Sequence, residues 1–170
     1  MACIMRIISR RSALALTIST GTGGILFAID TREPAGRFKA KSLDGELFSN
    51  ELIAGKVMLI QFWATWCPYC RSDQPAVEAL TEEFRNDGLV VLAVDVGESR
   101  KKVKQYLDKS PRSCKIVLTE DTNLAAWYAA KIYPYYVLID RNGKIAGTHK
   151  GAGGDDSLRR LLRKAGLGAE

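Results

Sequence analysis

Cys67 and Cys70 bracket Pro68 and Tyr69 in the stretch "QFWATWCPYCRSDQP", which starts at Gln61. Two thiols at this spacing can do three kinds of chemistry. They can share a metal ion, form a structural disulfide, or exchange a disulfide with another molecule. A metal site needs about four ligands, commonly two such pairs or one pair plus histidines. The chain adds Cys114, Cys3 and the single histidine His149, so a metal centre built within the chain is disfavoured. A staple across so short a loop removes little chain entropy and stabilises little. The redox reading has positive support from position. The pair follows an apolar run and opens a helical pattern, and Pro68 suits a first helical turn, where its missing N–H costs nothing. Cys67 then stands where unpaired N–H groups and the helix dipole favour a thiolate, which activates an attacking cysteine. Cys70, one turn deeper, is placed as the resolving thiol.

The elements that must hold this pair are legible in the pattern. "KVMLIQFWA" (56–64) and "LVVLAVDV" (89–96) are nearly continuous apolar runs, as expected of strands covered on both faces. Between them Val77, Leu80 and Phe84 fall at helical spacing, Pro75 lies inside that helix, and Gly88 ends it. Asp44-Gly45 and Asn142-Gly143, each between short alternating runs, are hairpin signals. A helix over 99–109 buries Val103, and "KIVLT" (115–119) is a short strand. A further helix bears Leu124, Trp127 and Tyr128, with Asp121, Thr122 or Asn123 as its cap. Trp127 reads as core. "YYVLID" (135–140) and "IAGTHK" (145–150) make the last hairpin. Asp155 or Asp156 caps a final helix carrying Leu158, Leu161 and Leu162. Strands alternating with helices, then a hairpin and a helix, imply a mixed α/β sheet with helices on both faces. Trp63 reads as core, Trp66 as partly exposed over Cys67, and Cys114 as a buried inert thiol.

The whole chain of 170 residues is 46% hydrophobic and 26% charged, which suits one globular domain able to bury a core without disulfides. Its formal charge of +6 includes Arg6, Arg10 and Arg11. The rest is a mild excess, and "RKKVK" (100–104) and "RRLLRK" (159–164) read as solvated helix faces, so no nucleic-acid partner is expected. The three early arginines precede an uncharged stretch of 18 residues, 12–29. That is a cleaved export signal or a retained membrane anchor over 1–29, with an excess of positive charge that keeps the N-terminus in the cytoplasm. Residues 30–36 read as a linker and 37–170 as the folded domain, on the extracytoplasmic side.

"FWATWCPYC" after an apolar strand resembles the active site of the thioredoxin superfamily. "VDVGESR" (94–100) and "YPYYVLIDRNGKI" (133–145) resemble its membrane-tethered extracytoplasmic branch, the TlpA/ResA type. The resemblance covers about residues 36–168. It implies a three-layer thioredoxin-like fold with an N-terminal hairpin and a central helix–strand insert, and thiol–disulfide exchange without a bound cofactor or metal. It implies a cis peptide at Tyr133-Pro134 beside the cysteines, with Trp66, Pro68, Tyr69 and Tyr133 against the substrate peptide. Substrates would be disulfides of exported proteins, such as apocytochrome c or copper-site assembly proteins, with electrons from an upstream membrane thiol donor. A disulfide-forming oxidase and a thiol-based metallochaperone are the alternatives. The chain departs from the family pattern at three places. Gln61 stands where cytoplasmic thioredoxins carry a buried acid. Tyr135 and Tyr136 replace the usual threonines, which suggests a more aromatic docking surface. Asp73 replaces a glutamate; it either accepts the Cys70 proton during exchange or is an ordinary acid favoured by the helix dipole.

Overall fold

A computed structural model describes residues 33–168. The expected export signal or anchor over 1–29, and residues 30–32 of the linker, lie outside these residues. Among the described residues, no helix is long and apolar enough to cross a membrane.

The described residues form one mixed sheet in the order β2-β1-β5-β4-β3-β6-β7. Its strands are β1 (Lys39–Ser42), β2 (Leu47–Ser49), β3 (Val57–Trp63), β4 (Leu89–Asp95), β5 (Lys115–Thr122), β6 (Tyr135–Ile139) and β7 (Ile145–Lys150). The helices are α1 (Pro68–Glu83), α2 (Arg100–Leu107), α3 (Leu124–Trp127) and α4 (Gly154–Arg163). β3, β4 and β5 run parallel. β6 is antiparallel to β3, and the two hairpins close the edges antiparallel. This is the thioredoxin-like arrangement expected, with α2 and β5 as the insert.

β3 is the central strand, and every one of its residues is buried. Alternation divides it between two cores. Leu59 and Trp63 face a layer filled by Val77 and Leu80 of α1, Val103 of α2 and Leu158, Leu161 and Leu162 of α4. Met58, Ile60 and Phe62 face a second layer with Phe38, Phe48, Ile53, Leu124 and Tyr128. The layers are unequal. Three helices cover the first, whereas the single turn of α3 and nearby loops cover the second.

Both Gly turns are as expected: Gly45 and Gly143 take positive φ, 92° and 71°, which lets each hairpin close without Cβ strain. Three expectations are corrected. Trp127 is 59% exposed rather than core; α3 is too short for helical spacing to carry it inward, and its ring lies over Gly36, where an added Cβ would meet the indole at 1.8 Å. Of the three residues expected to cap α3, Thr122 accepts the Leu124 N–H at 3.3 Å, whereas the Asn123 side chain does not cap, because its amide is drawn to Arg37 O and Lys39 N on the chain leading into β1. Neither Asp155 nor Asp156 caps α4; its cap comes from another helix. Glu33–Ala35, at the end of the linker stretch, also pair with the β6–β7 turn, through Ala35 N to Gly143 O and Ile145 N to Glu33 O.

Candidate active site

β3 ends at Trp63, the chain turns through Ala64, Thr65 and Trp66, and α1 begins at Pro68. Cys67 is the residue that caps α1. Its backbone is extended (φ −79°, ψ 110°), and its sulfur accepts the Cys70 N–H at 3.1 Å. This is the anion-favouring position that the sequence implied. The sulfurs of Cys67 and Cys70 are joined as a disulfide with the Cα atoms 5.3 Å apart. Both cysteines are buried, Cys67 as fully as Cys70. Cys70, expected to lie deeper, is therefore no better covered than Cys67 in this oxidised form, because the bond holds both sulfurs against one core.

Around the covered disulfide lies an exposed rim. Trp66, Tyr69 and Ile132 are each more than half exposed, and Pro68 is exposed beside them. Trp66 meets Tyr133 edge-on with ring centroids 6.2 Å apart. Tyr133-Pro134 is a cis peptide, as the resemblance implies, and Pro134 is buried. Tyr135 and Tyr136, however, do not enlarge this rim. Both are buried: β6 lies between β3 and β7, so its two faces look into the two cores. Tyr135 stacks on Phe62, and Tyr136 turns to the α1 side.

Under the disulfide runs a chain of buried polar groups that sequence reasoning largely missed. Arg112 Nη2 donates to Gln61 Oε1 at 2.7 Å. Gln61 Nε2 donates to the Tyr136 hydroxyl at 3.0 Å, and that hydroxyl donates to Asp73 Oδ2 at 2.9 Å. Asp73 then accepts the backbone N–H groups of Gly153 and Gly154 at 2.9 and 3.0 Å. At the other end the buried Arg112 guanidinium pairs with Glu78 at 3.2 Å and lies 4.9 Å from the centroid of Trp63, so its charge is both paired and stacked. Burial, with the negative charge of Asp73 and its hydrogen bond, pushes the Tyr136 hydroxyl well above its usual range. It therefore stays a donor.

Gln61 is thus neutral, as the sequence states, but it is a link between an arginine and a tyrosine rather than a gap left by a missing acid. Asp73 is one turn beyond Cys70, as expected. Neither earlier reading of it anticipates its partners: its carboxylate caps the start of α4, about eighty residues further on. The glycines make this possible. Gly154 has φ of +58°, and a Cβ on Gly153 would meet His149 Nε2 at 2.8 Å. A polar residue inside the apolar run of β3 was the sequence signal for such a network; the identity of Arg112 as its cation was not visible. Cys114 is buried as expected, and burial pushes its thiol up to about 11, so it stays protonated and inert.

The turn before Cys67 is held by a second polar group. Glu98 Oε2 accepts the Thr65 N–H at 2.5 Å and Glu98 Oε1 accepts the Thr65 hydroxyl at 2.7 Å. Arg71 donates to the Thr65 carbonyl at 3.2 Å. Among the described residues there is no group of three or more His, Cys, Asp or Glu side chains that could hold a metal ion.

Comparison with known proteins agrees with this geometry. The Redoxin family model matches residues 29–162. The thiol-disulfide oxidoreductase ResA of Halalkalibacterium halodurans is 30% identical over 119 residues, covering 70% of this chain and 68% of that protein. The thioredoxin-like protein YneN of Bacillus subtilis is 34% identical over 126 residues, covering 72% and 73%. Among solved structures, a thiol:disulfide interchange protein of the thioredoxin family from Chlorobium tepidum superposes with a TM-score of 0.68 at 25% identity, covering 81% of this chain and 99% of that one. StoA from Bacillus subtilis superposes at 0.65 with 21% identity, covering 77% and 98%, and shows the shared fold. With the family model spanning the strand, the cysteine pair and the cis-proline alike, the chain belongs to the Redoxin family, as a ResA-type member of the thioredoxin superfamily with the cysteine pair of a thiol–disulfide oxidoreductase.

Proposed function

We propose that this protein works outside the cytoplasmic membrane as a reductant of disulfides in exported proteins, such as apocytochrome c or copper-site assembly proteins. The observation that carries the chemistry is the Cys67 sulfur at the N-terminus of α1, accepting the Cys70 N–H. In the reduced enzyme, the Cys67 thiolate attacks one sulfur of a substrate disulfide. The substrate's S–S bond breaks, a Cys67–substrate disulfide forms, and the departing substrate thiolate takes a proton from solvent. Cys70, as thiolate, then attacks the Cys67 sulfur and expels the second substrate thiol. Two electrons have moved to the substrate, and the Cys67–Cys70 disulfide remains. A thiol donor at the membrane must return those electrons, because export separates the chain from cytoplasmic reductants.

Trp66, Pro68, Tyr69 and Tyr133 form the rim on which a substrate segment would lie, with Tyr133 supplying backbone beside the sulfurs. Asp73 acts as a positioning residue, holding the start of α4 and Tyr136 beneath the cysteines. Localisation rests on Arg6, Arg10 and Arg11 ahead of the uncharged 12–29 stretch and on the ResA-type relationship. A reporter enzyme active only outside the membrane, fused after Glu170, should be active; activity of a cytoplasmic reporter in its place rejects the location.

Direction of electron flow is set by the midpoint of the Cys67–Cys70 couple. Stabilising the Cys67 thiolate favours the reduced form and raises the potential. Gln61 adds no negative charge to oppose it, so physics alone permits an oxidase. A reductant should equilibrate with dithiothreitol or glutathione buffers at about −270 mV or below, whereas a midpoint near −120 mV makes the protein a disulfide-forming oxidase.

A further inference from the structure

Asp95 closes β4 in register with Trp63, and alternation puts its side chain on the face of Ala93 and Trp63, the same layer that contains Cys67 and Cys70. It is fully buried. Its Oδ1 accepts the Glu98 N–H at 3.1 Å, while Oδ2 has no hydrogen-bond partner among the described residues. The Glu98 side chain, 4% exposed, grips Thr65 with both oxygens and has Lys102 Nζ at 2.6 Å. Thr65 is two residues before Cys67. The other charged or titratable groups around this pair are Arg71 of α1, on the Thr65 carbonyl, and Tyr133, whose hydroxyl is pushed up by burial and by the charge of Asp95.

We propose that Asp95 and Glu98 hold one proton between them, and that this proton sets how firmly the turn carrying Cys67 is gripped, which makes Asp95 a positioning residue for attack by Cys67. The inference rests on the reading of Cys67 as the attacking sulfur. With a proton on Oδ2, Asp95 donates to the Glu98 carboxylate. The orphan oxygen is satisfied, Glu98 carries the single negative charge, and Lys102 balances it. When that proton leaves to solvent, two carboxylates face each other in a buried space with one lysine. Like charges so placed cannot both stay ionised in contact at low cost. Asp95 is fixed in a strand, whereas Glu98 lies in the loop before α2, so Glu98 is the group that moves. Its movement releases the Thr65 N–H and hydroxyl. Burial first, then the hydrogen bond to Glu98 and its charge, push Asp95 up to about 7. Burial also acts on Glu98, but Lys102, Thr65 and Asp95 outweigh it and hold Glu98 down at about 2. The grip is therefore closed below neutral pH and loosens above it.

The direct test is an NMR titration of the oxidised wild-type protein between pH 5 and 9. The Asp95 side-chain carboxyl carbon should titrate with a midpoint near 7, and the Thr65 amide should shift with the same midpoint. In the reduced protein, the rate of Cys67 alkylation by iodoacetamide should show an inflection there in addition to that of the thiol. Its size should be about fivefold, the factor expected from weakening one hydrogen bond. Asp95→Asn, which keeps a donor toward Glu98 and cannot ionise, should retain the thiol's own inflection and lose the other. Stability supplies a separate readout. Folded Asp95 holds its proton more tightly than the unfolded chain, so stability falls as pH rises from 3.8 through about 7, and Asp95→Asn should remove that slope. An Asp95 carboxyl that titrates in the ordinary carboxylate range, or a Thr65 amide that ignores pH across the window, overturns the proposal. The oxidised-state titration needs no exchange activity. An Asp95 midpoint near 7 in a protein unable to reduce any disulfide would therefore sink the reductant reading and leave the grip on Thr65 standing.

Discussion

Cys67→Ala is expected to reduce no protein disulfide above the uncatalysed rate, whereas Cys70→Ser should still attack and then stall. The asymmetry follows from the positions of the two sulfurs. Cys67 caps α1 and accepts an N–H there, so it has the electrostatic support for a thiolate that starts exchange. Cys70 lies on the first turn, with its Cα 5.3 Å from that of Cys67, and its attack on a mixed disulfide is intramolecular. Well-oriented intramolecular attack corresponds to effective concentrations on the order of 10⁵ M or more. Removing the Cys70 sulfur leaves only thiols from solution at millimolar levels, so release of the substrate should slow by at least roughly three orders of magnitude. The Cys70→Ser protein should accordingly accumulate as a disulfide-linked adduct, visible on a non-reducing gel and identifiable by mass spectrometry. Cys114→Ser, which removes a buried protonated thiol, should leave turnover unchanged. If Cys67→Ala kept wild-type turnover while Cys70→Ser formed no adduct, the assignment of attacking and resolving sulfurs would be wrong.

The second large effect is on stability. Asp73→Ala should lower the folding free energy by about 2 to 4 kcal/mol, because one buried donor and two part-buried helix-start N–H groups lose their acceptor together. They are the Tyr136 hydroxyl and the Gly153 and Gly154 N–H groups. The loss reaches further than a surface helix cap would, since the negative end of the Arg112–Gln61–Tyr136 chain also disappears. Asp73→Asn should recover part of the stability, as its carbonyl can accept from one glycine while its amide group opposes the other. Urea denaturation would show a fall in midpoint with little change in slope. An Asp73→Ala protein within about 1 kcal/mol of wild type would contradict the cap; that is the range expected of a residue away from such features.

The place of the cysteine pair at a helix start and the order of the main elements were legible in the sequence because they rest on local physics. A strand covered on both faces is apolar without interruption, a helix start is marked by Pro68, and the hairpins by Asp44-Gly45 and Asn142-Gly143. Each signal is read within about ten residues. The same reading was less secure where one element was a single turn, as with Trp127 of α3, because helical spacing has meaning only when a helix is long enough to have a face.

What the tertiary structure decided is the polar interior beneath the cysteines. Asp73 meets Gly153 and Gly154, Gln61 meets Tyr136 and Arg112, and Glu98 grips Thr65, over separations of 80, 75, 51 and 33 residues. A charged or amide side chain reads in sequence as a solvated surface group unless its partner is known. Its partner is fixed by which strands pair and which helix ends face them. Here the antiparallel pairing of β6 with β3 sets Gln61 opposite Tyr136, and the packing of α4 against α1 brings its first N–H groups to Asp73. A cysteine at a helix terminus is a local feature and could be read from nine residues; a buried hydrogen-bond network is a property of the closed fold, because no donor can be assigned an acceptor until the chain has brought both out of water.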